Sequence, residues 1–175
     1  APGGYADHVM AAHSKYLLDI SGIPEHYACT LACAGITSYS ALTKVHPLYD
    51  DDKVVIIGAG GVGLTGIGIA RAYLPDHELI VVDIDGEKLA AARQAGADHT
   101  INSAEEDALE KLKELTGTGP GSIVDFVGSS ETSRLGYDAV RKGGKYICVG
   151  LYGGEITIPT LTLPVRNMTV QGSYV

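Results

Sequence analysis

The chain has no excess of positive charge. Thirteen Lys and Arg face 21 Asp and Glu, a formal net charge of −8 and a pI near 5.1. That balance excludes a sequence-independent nucleic-acid binder, which needs clustered cations to displace phosphate counterions. There is also no apolar run near the ~20 residues that a membrane-spanning helix requires. The longest, Val54–Ile57 and Leu79–Val82, are of strand length. Three cysteines are too few, and odd in number, for a disulfide framework. The N-terminus Ala1-Pro2-Gly3-Gly4 has neither the basic start nor the apolar centre of a secretion signal. A reducing, cytoplasmic setting is therefore expected.

What is present is an ordinary folding composition: 45% apolar and 19% charged residues in 175, enough for one domain with an appendage. Disorder is excluded. The start without Met and the stop at Ser173-Tyr174-Val175, with no breaker, suggest a piece of a longer protein.

From Lys53 the pattern becomes regular. Short β-branched runs at 53–57, 79–83, 99–101, 122–127, 145–149 and 168–174 alternate with helical stretches at 62–74, 85–94, 103–115 and 131–140. Ser103 and Glu106 fit a capping box for the third helix. The Pro-punctuated stretch Ile156–Leu163 reads as an edge segment. Strand and helix alternating at this spacing predict a doubly wound α/β domain, a parallel sheet of order 3-2-1-4-5-6. It should occupy residues 46–175. Residues 1–45 read differently: Tyr5–Ile20 alternates weakly, and Pro24–Thr43 has helical spacing. They are expected to be the end of a neighbouring β-rich domain with a connecting helix.

The strongest chemical signal is Gly58-x-Gly60-x-x-Gly63, lying between the first strand and its helix. Gly58 permits the tight turn, Gly60 lets backbone approach a pyrophosphate, and Gly63 allows close helix–strand packing. The helix N-terminus beyond it attracts phosphate. Asp83 ends the second strand 20 residues after Gly63, where a carboxylate meets adenosine-ribose hydroxyls. A 2′-phosphate ~4 Å from that carboxylate would cost about 4 kcal/mol at an effective dielectric of 20, roughly a thousandfold. The expected cofactor is NAD. Lys88 lies near enough to offset part of the repulsion or to bind the ribose itself.

Cys33-Ala34-Gly35-Ile36-Thr37-Ser38-Tyr39, the Gly58–Gly63 loop, Val82-Asp83-Ile84 and Gly172-Ser173-Tyr174-Val175 together resemble the zinc-containing medium-chain alcohol dehydrogenases of the microbial tetrameric type. The likeness runs through nearly the whole chain in one register. It implies zinc-assisted hydride transfer between an alcohol and NAD, with an aldehyde or ketone as product. By the same resemblance Cys33 corresponds to a ligand of the catalytic zinc, and Thr37 and Val62 pack on the nicotinamide. Asp83 and Lys88 hold the ribose, and Gly61, Ile84, Phe126, Val127, Val149, Gly150, Leu151, Ser173, Tyr174 and Val175 join the cofactor lining. A homo-oligomer, dimer or tetramer, is implied through the 156–165 edge.

The family's other zinc ligands and its proton-relay residues have no counterpart here. His8, His13, His26, His46, His77 and His99 stand at no ligand spacing and are expected at the surface. Cys29 and Cys148 are expected to be small buried apolar side chains. The chain alone is therefore expected to bind NAD without catalysing turnover. Two alternatives stay open: a stand-alone dinucleotide-sensing module that regulates a partner, and a zinc-free NAD(P)H reductase of the same superfamily, which Asp83 opposes.

Overall fold

A computed structural model describes residues 4–175. Six strands form one sheet in the order β3-β2-β1-β4-β5-β6, every neighbouring pair parallel. They are β1 (Val54–Ile57), β2 (Leu79–Asp83), β3 (His99–Asn102), β4 (Ser122–Asp125), β5 (Lys145–Cys148) and β6 (Thr169–Gly172). Side chains in a strand alternate between faces, and this alternation builds two cores. Val54, Ile56, Val81, Val124 and Ile147 meet Ala41, Leu42, Ile67 and Ala70 on one face. Val55, Ile57, Ile80, Val82, Ile123 and Tyr146 meet Leu112, Tyr137 and Ala139 on the other. β1 and β4 lie at the centre and are buried throughout, whereas β6 at the edge is largely exposed.

The helices are α1 (Glu25–Thr30), α2 (Ile36–Leu42), α3 (Gly61–Tyr73), α4 (Gly86–Gln94), α5 (Ala108–Thr116), α6 (Ser130–Ala139) and α7 (Thr162–Arg166), with a five-residue π-helical turn, Leu31–Gly35, joining α1 to α2. The helical spacing of 24–43 is thus realised with one wide turn in the middle. α2 is held on α3 by the buried Ser38 hydroxyl, which donates to the carbonyl of Val62 at 2.8 Å.

Several local expectations are corrected. The third helix begins at Ala108, because the Asp107 carboxylate accepts from the amides of Leu109 and Glu110 as its N-cap. Glu106 instead accepts from the Asn102 amide at 3.2 Å, so Ser103 and Glu106 form no capping box. Residues 156–161 contain no strand, and α7 follows at once. Pro164 is the third residue of α7, where a missing N–H forfeits no intrahelical bond. Described residues 4–23 form a 3-10 turn at Ser14–Tyr16, with apolar side chains such as Leu18 in solvent.

Among the described residues, buried polar side-chain atoms are paired. Arg141 holds the Asp52 carboxylate with two bonds of 2.5 Å while its guanidinium lies 4.6 Å from the centre of the Tyr49 ring. Burial pushes the Asp52 carboxyl upward, but the Arg141 bonds and charge, with the Tyr49 amide, outweigh it and leave it below its usual range.

Candidate functional site

The register aligns Ile57, Asp125 and Cys148 in one row at the carboxyl ends of β1, β4 and β5. The chain order reverses beside β1, since β2 and β3 lie to one side and β4 to the other. Open α/β sheets form their ligand crevice at such a point.

The three glycines of the first turn play distinct parts. Gly58 has φ +93°, which L side chains rarely adopt, and donates its amide to the Val82 carbonyl at 2.8 Å. A Cβ on Gly63 would sit 1.8 Å from the Gly58 carbonyl oxygen, so α3 approaches β1 as closely as a bare backbone allows. Gly60 and Gly61 face open space, with nothing within 4 Å of an added Cβ. Gly60 is the N-cap of α3 and supplies no side-chain cap. The first-turn amides of α3 thus point to the crevice mouth with no intrahelical acceptor. The positive end of a 13-residue helix stands behind them.

Asp83 is fixed against this turn. One carboxylate oxygen accepts from the Ala59 amide at 2.7 Å and the other from the Asp85 amide at 3.0 Å. Two adjoining cavities, about 610 and 470 Å³, open beside it. Asp83, Lys88, Gly58, Val127 and Tyr152 line both. The larger adds an apolar wall of Ile84, Leu109 and Leu135, while the smaller adds Gly60, Gly61, Val62, Gly63, Phe126 and Leu151. Lys88 is turned to Asp85, 3.9 Å away, so its charge is not spent on Asp83.

Eleven of the 17 expected cofactor residues therefore line this crevice. Thr37, Val149, Gly150, Ser173, Tyr174 and Val175 line neither cavity. Thr37 is half-buried on α2, and the amides of Val149 and Gly150 both donate to the Asp125 carbonyl. Ser173 donates its amide to Cys148 and accepts from the Lys44 ammonium at 3.0 Å, tying the α2 end to β6.

Sequence reasoning missed Asp125, fully buried at the end of β4. Its carboxylate accepts from the amides of Val127 and Gly128 and from the Tyr146 hydroxyl, so it braces the turn forming the opposite wall. Burial, the largest cause, pushes the Tyr146 hydroxyl well above its ordinary value, with the Asp125 charge adding to it. Tyr152 was missed as well, though it stands one residue beyond Leu151 in a strand-end loop. Ser129 and Thr132, also in the larger cavity, form a reciprocal cap on α6, and that Ser-x-x-Thr spacing was readable.

The cysteines fare differently from expectation. Cys33 is exposed on the π-helical turn and Cys29 is exposed on α1, not buried, because no residue of α1 reaches the core. Cys148 packs against the second core, and burial raises its thiol pKa. His8, His13, His26 and His46 are exposed, but His77 is half-buried with Nδ1 2.8 Å from the Asp52 carbonyl, and His99 is half-buried with Nε2 3.1 Å from the Glu78 carboxylate. Among the described residues no group of three or more His, Cys, Asp or Glu converges to hold a metal. These residues do not fit a zinc site by themselves. Among the described residues no helix is long and apolar enough to cross a membrane.

Residues 61–175 match the family described as zinc-binding dehydrogenase. Over 175 residues the chain is 34% identical to a protein of Sulfurisphaera tokodaii named NAD-dependent alcohol dehydrogenase, covering 99% of this chain and 50% of that relative. The alcohol dehydrogenase of the archaeon Aeropyrum pernix superposes with a TM-score of 0.77 at 36% identity, over 83% of this chain and 42% of that one. The D-arabinose dehydrogenase of Sulfolobus solfataricus gives 0.83 at 25% identity, over 91% and 50%. The chain spans about half the length of the curated relatives it matches. With the sheet order, the glycine turn and these likenesses in agreement, the chain belongs to the zinc-binding dehydrogenase family.

Proposed function

We propose that this chain is the dinucleotide-binding part of an NAD-dependent alcohol dehydrogenase, an oxidoreductase that interconverts a primary or secondary alcohol with its aldehyde or ketone. One observation carries the reading: a carboxylate, Asp83, is bonded to the glycine turn at the crevice between two cavities. NAD, when bound, supplies the hydride acceptor. The chain's own residues bind and orient. The bare α3 amides take the diphosphate, and Asp83 accepts from the ribose hydroxyls. Ile84, Leu109 and Leu135 give the adenine an apolar slot.

Phe126, Val127 and Leu151 exclude water from the diphosphate side. We assign Thr37, Val62, Val149, Gly150 and Ser173–Val175 to the nicotinamide end. Cys33, an exposed thiol in this chain, is proposed as one zinc ligand in the whole enzyme. Relatives named alcohol dehydrogenase support the alcohol substrate class.

Isothermal titration of NAD⁺ into the chain tests the reading. Asp83→Ala should weaken binding by about tenfold, the loss of one or two charge-assisted hydrogen bonds. Equal affinity of the wild type and the variant would reject the ribose assignment.

A further inference from the structure

Tyr152 stands at the seam of the two cavities, lining both together with Asp83 and Lys88. The residue is 81% exposed, yet its backbone is pinned. Its amide donates to the Val127 carbonyl at 3.2 Å, the Gly154 amide to Gly128 at 3.0 Å, and the Glu155 amide to the Ser130 hydroxyl at 2.9 Å. Glycines make the clamp possible. A Cβ on Gly150 would lie 2.0 Å from the Val127 carbonyl carbon, and one on Gly154 would lie 2.2 Å from the Ser129 carbonyl carbon. The loop therefore lies backbone-on-backbone against the β4–α6 turn, which Asp125 braces from below. A large aromatic ring lining both cavities is thereby carried on a fixed stem. A ring with two χ angles loses little freedom on contact, so this placement favours a ligand-facing role.

We propose that Tyr152 is a cofactor-positioning residue whose ring closes over the junction between the diphosphate and the second, adenine-distal ribose of the bound dinucleotide. This rests on the reading of the crevice as an NAD site and extends it. The contact is made by the ring face, so the hydroxyl is dispensable. An aromatic contact of this kind corresponds to roughly a three- to tenfold change in affinity.

Titrations of ADP-ribose and AMP into the full chain, wild type, Tyr152→Ala and Tyr152→Phe, test it. The alanine variant should bind ADP-ribose about three- to tenfold more weakly, and the phenylalanine variant should restore wild-type affinity. AMP, which lacks the second phosphate and ribose, should lose no more than about twofold. Hydroxyl-radical footprinting supplies a second readout, since ADP-ribose should protect Tyr152 in the wild type. ADP-ribose binding unchanged in Tyr152→Ala, a Phe variant as weak as Ala, or AMP losing as much as ADP-ribose would each overturn the assignment. Failure of the wild type to bind ADP-ribose at all would instead reject the underlying NAD reading, which separates the two.

Discussion

Gly63→Ala and Gly68→Ala are the same substitution on the same helix, and the structure gives them opposite signs. Removing a glycine from a helix interior is worth about 0.5–1 kcal/mol in backbone entropy. At Gly68 the added methyl meets nothing within 4 Å on an exposed face, so that gain should appear intact. At Gly63 the methyl would lie 1.8 Å from the Gly58 carbonyl oxygen and 2.9 Å from its carbon. Both are backbone atoms of a turn held by the Val82 carbonyl, so no flexible side chain can yield. α3 must retreat from β1, and overpacking of this kind costs roughly 1–3 kcal/mol or more. The net expectation is a loss of about 2 kcal/mol for Gly63→Ala.

For a chain of this size 1 kcal/mol corresponds to roughly 2–4 °C in Tm. Gly63→Ala should therefore melt about 4–8 °C lower, while Gly68→Ala should melt about 1–4 °C higher. Far-UV circular dichroism during thermal and urea unfolding reads both. Retreat of α3 also displaces the first-turn amides, so Gly63→Ala should bind NAD⁺ at least tenfold more weakly, by about 1.4 kcal/mol. A Gly63→Ala protein as stable as wild type, with NAD⁺ affinity unchanged, would refute the assigned helix–strand approach.

The Asp52–Arg141 pair makes a second prediction. Removing one partner of a buried pair leaves a charge unpaired, so Arg141→Met should cost about 3–5 kcal/mol in urea unfolding. Because the folded carboxyl is depressed, its contribution is complete above the unfolded value near 3.8 and is lost as pH falls through the lower folded value. Asp52→Asn should therefore flatten the acid limb of the stability–pH curve below about pH 4, and an unchanged limb would contradict the pairing. Helix α5 gives a third: Asp107→Ala should cost about 1 kcal/mol as a lost N-cap, while Ser103→Ala should be near neutral. The reverse ranking would restore the capping box that the sequence suggests.

The sheet, its order and the glycine turn after β1 were legible because they obey local rules. Continuous β-branched runs mark strands covered on both faces, and Gly58, Gly60 and Gly63 at fixed offsets leave few other geometries. Asp83 was legible because strand length sets where β2 ends. What escaped the sequence is non-local or contested. Asp52 meets Arg141 across 89 residues, and no pattern joins them. Glu106 and Asp107 compete to start one helix, and only the Asn102 amide decides it, by taking Glu106.

The 156–163 stretch carries Thr and Ile typical of strands, but Pro159 and Pro164 withhold donors a sheet edge would need, and α7 forms instead. Cys29 looked buried by composition, yet burial depends on what α1 packs against, which composition does not specify. Tyr152 lacks a motif altogether, since its place follows from glycine contacts that become visible only in three dimensions.

The NAD⁺ to NADP⁺ affinity ratio tests the central claim most directly. Calorimetry on the wild-type chain and on Asp83→Ala measures it in one buffer of low ionic strength. Asp83 is half-exposed and screened, so the discrimination should fall somewhat short of the full Coulombic estimate, at about a hundredfold in favour of NAD⁺. The variant should bring the ratio within about tenfold of unity. Equal binding of the two dinucleotides by the wild type, or a ratio untouched by removing the carboxylate, would contradict the account.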